Sequence, residues 1–188
     1  MSHTATEQPV TPHDEASIEP ALNGVDLAAV GALVGKIQET PAAASTVWSA
    51  EVTWTGAFTS QAKIRDFAPI PSDEPRGLGG SDTAPNPVEQ LLAALGNCLA
   101  VGYAANASTA GIEIRDLRIR LDGDLDLRTF LGLADAHAGY EAIKVSVDLD
   151  TDATAEQVEQ LHQRVVGSSP VGHTLGRAIP LSIELAAN

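Results

Sequence analysis

A chain of 188 residues with 44% hydrophobic residues and a net charge of −14 fits one globular domain, large enough to bury about two-thirds of its unfolded surface. The charge excludes a nucleic-acid surface, which needs clustered Lys and Arg; only Arg115, Arg118 and Arg120 lie close together. A single cysteine excludes an internal disulfide, and the sequence shows no secretory leader and no apolar run near the roughly 18 residues of a membrane span, so the expected location is cytoplasmic.

Residues 1–22 are mostly polar, with Pro9, Pro12 and Pro20 among acidic and hydroxyl neighbours, and read as a flexible N-terminal arm. Asn23 looks like a helix cap, and Leu27, Val30, Val34 and Ile37 follow at helical spacing until Thr40–Pro41, which predicts a helix over 23–40. The period then changes to two. Trp48, Ala50, Val52 and Trp54 share one face of a predicted strand, residues 56–60 can turn the chain, and Ala62, Ile64 and Phe67 suggest its partner. The Pro-, Gly- and acid-rich stretch that follows reads as a long loop of the kind that borders sites.

Residues 84–110 predict the helix on which the core is organised. Asn86 is the cap, Pro87 the first helical residue, and Glu89 is placed to close a capping box. Leu91, Leu95, Cys98, Gly102 and Ala105 form its stripe, with Leu92 and Leu99 alongside, and Gly111 suits a left-handed C-terminal cap. Its many Ala and Gly residues suit close packing against a second helix. Three alternating strands follow, centred on Leu117–Leu121, Ile143–Leu149 and Ile179–Leu185. Between the second and third, Thr154 and Gln157 open a helix that points Val158, Leu161 and Val165 inward and stops at Gly167; Ser169–Pro170 begins a short turn that Gly176 ends. The order gives an α+β class with helices backing antiparallel or mixed sheets.

The motif PNPVEQLLAALGNC, followed some seventy residues later by SSPVGHTLGRAIPLSIEL, resembles the OsmC/Ohr family over about residues 45–187, and the DEP…LGG…D…PNP run of residues 73–87 is similar to a subgroup described only as OsmC-like. The resemblance implies an OsmC-like fold, sheets packed on a long central helix, and an intertwined homodimer with sites at the subunit interface. On this reading residues 23–188 form one domain, with a helix at 23–40 and the core at 45–187. Characterised relatives are thiol peroxidases that reduce organic hydroperoxides, in which one cysteine attacks the peroxide, a second resolves the sulfenic acid, and an Arg and a Glu assist.

Cys98 stands at the attacking cysteine's position, and Ser169, before Pro170, stands where the second cysteine would be. Val88 holds the position of the assisting Glu, with Glu89 beside it; nine helical steps place Glu89 roughly 13 Å from Cys98 and on the opposite side. Arg65 is the candidate guanidinium. The residues by themselves allow plainer roles. Cys98 on an apolar helical face can be core, Glu89 a capping residue, Ser169 an N-cap, His173 either a residue of the same cleft, four positions after Ser169, or a surface or packed histidine, and Trp48 and Trp54 core, dimer-interface or pocket residues. Asp73, Glu74 and Asp82 read as solvated. No metal spacing links His3, His13, His137 or His162 with Cys98, and no cofactor is expected. Two functions remain open: a single-cysteine organic hydroperoxide reductase in oxidative-stress defence, using an external thiol reductant, and a non-catalytic protein that binds a small apolar or electrophilic ligand in the dimer cleft.

Overall fold

The computed structural model describes residues 21–186, so almost all of the expected N-terminal arm lies outside the described residues. In chain order the elements are α1 (Leu27–Glu39), β1 (Glu51–Gly56), β2 (Thr59–Lys63), β3 (Ile70–Ser72), α2 (Pro87–Thr109), β4 (Asp116–Leu125), α3 (Leu127–Phe130), β5 (Tyr140–Asp150), α4 (Ala155–Ser168) and α5 (Pro170–Leu175). The chain is α+β with two antiparallel sheets, β1–β2–β3 and β4–β5.

Helix α2 begins as the sequence predicts. The Asn86 side chain accepts from Glu89 N–H and the Glu89 carboxylate accepts from Asn86 N–H, each at 2.9 Å, so two otherwise orphaned donors are satisfied. Gly111 takes a left-handed conformation just past the end, with φ 70°. By length and composition α2 is apolar enough to cross a membrane, with a mean hydropathy of 1.3 over its best window, which corrects the sequence reading. One such helix is weak evidence of a span, because the core helix of a globular protein passes the same test. Its buried stripe is Leu95, Leu99, Tyr103 and Ala107, every fourth residue, and these pack with Ile112, Leu161 and Val165. The expected stripe through Cys98 and Gly102 is therefore rotated slightly, and Cys98 lies half-buried at its edge. Fully burying each large side chain of this cluster stabilises the fold by roughly 1.5–3 kcal/mol.

The small residues of α2 serve contacts inside this chain. A Cβ on Gly96 would come within 2.9 Å of Leu121 on β4, and one on Gly102 within 3.0 Å of Val165 on α4. The β4–β5 ladder sets Leu117, Ile119 and Leu121 opposite Leu149, Val147 and Val145 on the face toward α2. Its other face pairs Arg118 with Asp148 and Asp122 with Lys144, opposite charges at cross-strand distance. Helix α4 carries the expected Thr154–Gln157 capping box and buries Leu161 and Val165, but runs one residue past Gly167, to Ser168.

Several expectations are corrected. The cap of α1 is Asp26, whose side chain accepts from Ala29 N–H at 2.9 Å. Asn23 instead ties the chain start to the end of α2: its amide donates to Ser108 Oγ and Ile112 O, and its carbonyl accepts from Ile114 N–H. Trp48, just before β1, and Trp54 on it are exposed, at 79% and 72%, because nothing among the described residues covers them. Residues 179–185 form no strand, since no strand among the described residues pairs with them. The long loop is structured. Three of its residues pair with β2 as β3, and Asp73, 1% exposed, accepts from Glu74 N–H, Ser81 N–H, and both the N–H and hydroxyl of Thr83. Burial alone would raise the Asp73 pKa; the hydrogen bonds from Thr83, Glu74 and Ser81 outweigh it and hold the carboxyl below its ordinary value. Asp73 is thus a buried staple for the loop, where the sequence suggested a solvated charge.

Candidate active site

Cys98 projects from α2 toward the junction of α4 and α5, where Ser169 caps α5. The cap is local chemistry: Ser169 Oγ accepts from Gly172 N–H at 3.1 Å, and Pro170 occupies the first helical position. This fixes a side chain that is only 4% exposed, with its oxygen 3.3 Å from Cys98 Sγ. Besides accepting from Gly172, the hydroxyl can either donate its proton to the sulfur or accept from the thiol with its second lone pair. The two residues paired by motif are therefore paired in space, and a hydroxyl faces the thiol where a second thiol would stand.

The other two expected partners are held elsewhere. Glu89 is committed to its capping box at the start of α2. Arg65 sits in a left-handed turn after β2, φ 48°, with its guanidinium 4.6 Å from the centroid of the Phe67 ring. That cation–π stack, on an exposed loop, leaves no guanidinium from Arg65 beside Cys98 within this chain.

Next to the Cys98–Ser169 pair lies a cleft of about 510 Å³ between α2, β5 and α4–α5, a volume within the usual range of small-molecule sites. Leu95, Leu99, Ile143, Val145, Val147 and Val166 supply its apolar walls, and Tyr103, His162, Ser169, His173 and Arg177 its polar groups. The Tyr103 hydroxyl is hydrogen-bonded to His162 Nδ1. Burial, aided by the charge of Glu159, pushes the Tyr103 pKa up, so the phenol keeps its proton. Either the phenol donates to Nδ1 of an imidazole protonated on Nε2, or Nδ1–H donates to the phenol oxygen. His173 Nε2 lies 3.0 Å from Gly167 O and donates to it.

Of these groups the sequence pointed to Ser169 and, as one of two options, His173. Tyr103 follows Leu95 and Leu99 at intervals of four and was legible as the continuation of their stripe. His162 stands between the two inward residues of α4, Leu161 and Val165. Arg177 follows the stop at Gly176 and carries no pattern that would single it out.

A sequence model of the OsmC-like protein family matches residues 79–184, which include both Cys98 and Ser169. The chain belongs to the OsmC-like family. Among solved structures it is similar to an OsmC-like protein from Mycoplasma pneumoniae, with a TM-score of 0.61 and 16% identity over 70% of this chain and 89% of that one. It is also similar to an organic hydroperoxide resistance protein OsmC from Legionella pneumophila, with a TM-score of 0.52 and 16% identity over 70% and 91%. A third, an organic hydroperoxide resistance protein from Elizabethkingia anophelis, has a TM-score of 0.52 and 17% identity over 69% and 89%. At these identities the likeness is one of fold. No curated protein matches the chain.

Proposed function

We propose that this OsmC-like protein is a single-cysteine organic hydroperoxide reductase that acts as a homodimer in the cytoplasm and draws electrons from an external thiol. The observation that carries the reading is the contact of Cys98 Sγ with the buried Ser169 hydroxyl, 3.3 Å away, beside an apolar cleft. In the first step the Cys98 thiolate attacks one peroxide oxygen; the O–O bond breaks, the alkoxide takes a proton and leaves as alcohol, and the sulfur becomes a sulfenic acid. One external thiol then condenses with the sulfenic acid, releasing water and forming a mixed disulfide. A second thiol restores Cys98 and leaves with the first as a disulfide. Ser169 cannot act as resolving thiol; its role is to hold the sulfur through their hydrogen bond.

The placement of Arg65 and Glu89 favours a second reading. With neither charged partner at Cys98, the protein would keep the cleft for binding a small apolar or electrophilic ligand without turnover. Steady-state reduction of cumene hydroperoxide with several thiol donors decides between them. The reductase reading expects turnover that Cys98→Ala abolishes; no turnover with any donor leaves the binding protein.

A further inference from the structure

The start of the described chain is tied to its body chiefly by one side chain. Asn23 Nδ2 donates to Ser108 Oγ at 3.0 Å and to Ile112 O at 2.9 Å, and its Oδ1 accepts from Ile114 N–H at 2.8 Å. The neighbours fix which way the amide points, since Ile112 O can only accept and Ile114 N–H can only donate. Among the described residues, every hydrogen bond between residues 21–44 and the chain beyond Ser45 runs through Asn23 or Leu22, whose carbonyl accepts from Ser108 Oγ at 2.9 Å. Helix α1 adds little apolar hold, because Leu27, Val30, Leu33 and Val34 are all exposed.

The same residue sits in a reactive sequence. Asn23 is the only asparagine of the chain that precedes a glycine. A glycine nitrogen has no Cβ beside it and is uncrowded, so it can attack the side-chain carbonyl carbon of the residue before it. Gly24 N gives its proton to solvent and bonds to Asn23 Cγ; the Cγ–Nδ2 bond breaks, and the nitrogen takes up a proton and leaves as ammonia. Water then opens the cyclic imide to aspartate or isoaspartate. One water is consumed and one ammonia released, with no oxidant or reductant. In the docked state both reacting groups are occupied: Gly24 N–H donates to Ala21 O at 2.7 Å, and the Asn23 amide is held by its three bonds. We propose that Asn23 is a self-modifying latch, converted only when the 21–44 segment opens and unable to close again afterwards. Neither product can donate to Ile112 O, and aspartate would set a carboxylate against that carbonyl. Isoaspartate also adds a carbon to the backbone. A helix of 13 residues is marginal in water by itself, so a released α1 should melt.

Ageing the full chain at mildly alkaline pH, followed by peptide mapping with mass spectrometry, tests the latch. Asn23 should convert before any other asparagine, yet roughly tenfold or more slowly than in a synthetic peptide of residues 21–28, because three hydrogen bonds must open first. Ser108→Ala removes one acceptor of the amide and the donor to Leu22 O, and should speed the conversion several-fold. In Asn23→Asp, hydrogen exchange across residues 27–39 should rise toward that of an unstructured peptide, while residues 95–107 of α2 stay as protected as in the parent. If Asn23→Asp does not fold, the aged fraction, separated from the parent by ion exchange on its added negative charge, gives the same reading. The latch is overturned by no conversion at Asn23, by conversion at the peptide's rate or first at another asparagine, or by a Ser108→Ala rate equal to the parent's. Amides of α1 that stay protected in the aged fraction would overturn it as well.

Discussion

At Cys98 two kinds of information meet. The family resemblance pairs Cys98 with Ser169, and they lie 3.3 Å apart. Their separation makes a specific prediction. A disulfide needs its sulfurs at about 2.05 Å, so Ser169→Cys must close by roughly an ångström, within reach of a rotamer change. After excess hydroperoxide, mass spectrometry of the parent protein should show Cys98 carrying two or three extra oxygens; Ser169→Cys should instead lose two hydrogens as it closes the bridge. An unmodified Cys98 in the parent would place the thiol out of reach of peroxide. Arg65 was not legible in the same way. A single guanidinium with no motif around it can go wherever its loop turns, and here the turn sends it to Phe67. Asp73 makes a second residue-scale test. Its lowered pKa means that its contribution to stability is present above the unfolded value near 3.8 and is lost as pH falls through the folded value. Asp73→Asn should therefore lower the melting temperature at pH 7, and the difference from the parent should shrink in acid below pH 3.8.

At the scale of elements, local signals were read correctly and non-local ones were not. The capping boxes at Asn86 and Thr154 lie within four residues of sequence, and both form. Asn86→Ala removes the acceptor for Glu89 N–H at a buried cap, and chemical denaturation should show a loss of about 1 kcal/mol. The rotation of the α2 stripe was hidden because so many of its residues are Ala or Gly, which fit either face. Gly102→Val would set a branched side chain against Val165, already at 3.0 Å from an added Cβ. It should cost roughly 1–3 kcal/mol by overpacking; a variant as stable as the parent would mean that α4 yields. Strand β3 escaped notice because three residues around Pro71 give no alternation to read, and its identity comes from pairing with β2. Residues 179–185 are the opposite case: their alternation is clear, but a strand exists only where another strand accepts it.

The whole molecule carries this last point further. Leu181, Ile183 and Leu185 are 80%, 87% and 100% exposed, and they lie on the face that alternation assigns to a core. Trp48, just before β1, and Val52 and Trp54 on it crowd a second face that no described residue covers, and β1 is an edge of its sheet. Among the described residues the β4–β5 sheet has two strands and both its edges lack strand partners, and two-stranded sheets are marginal alone. Unpaired edges and exposed apolar rows are surfaces that proteins cover. The proposed homodimer supplies the cover economically, since a second copy brings both the missing strand and the missing apolar face. Light scattering should therefore give a dimer at micromolar concentration. Backbone amides of residues 179–185 should be protected from hydrogen exchange in that dimer, and should lose protection on dilution to where it dissociates. A folded monomer whose 179–185 amides exchange as fast as those of an unstructured peptide would show that the alternation serves no strand, and would leave the exposed Trp48–Trp54 face for a partner other than a second copy.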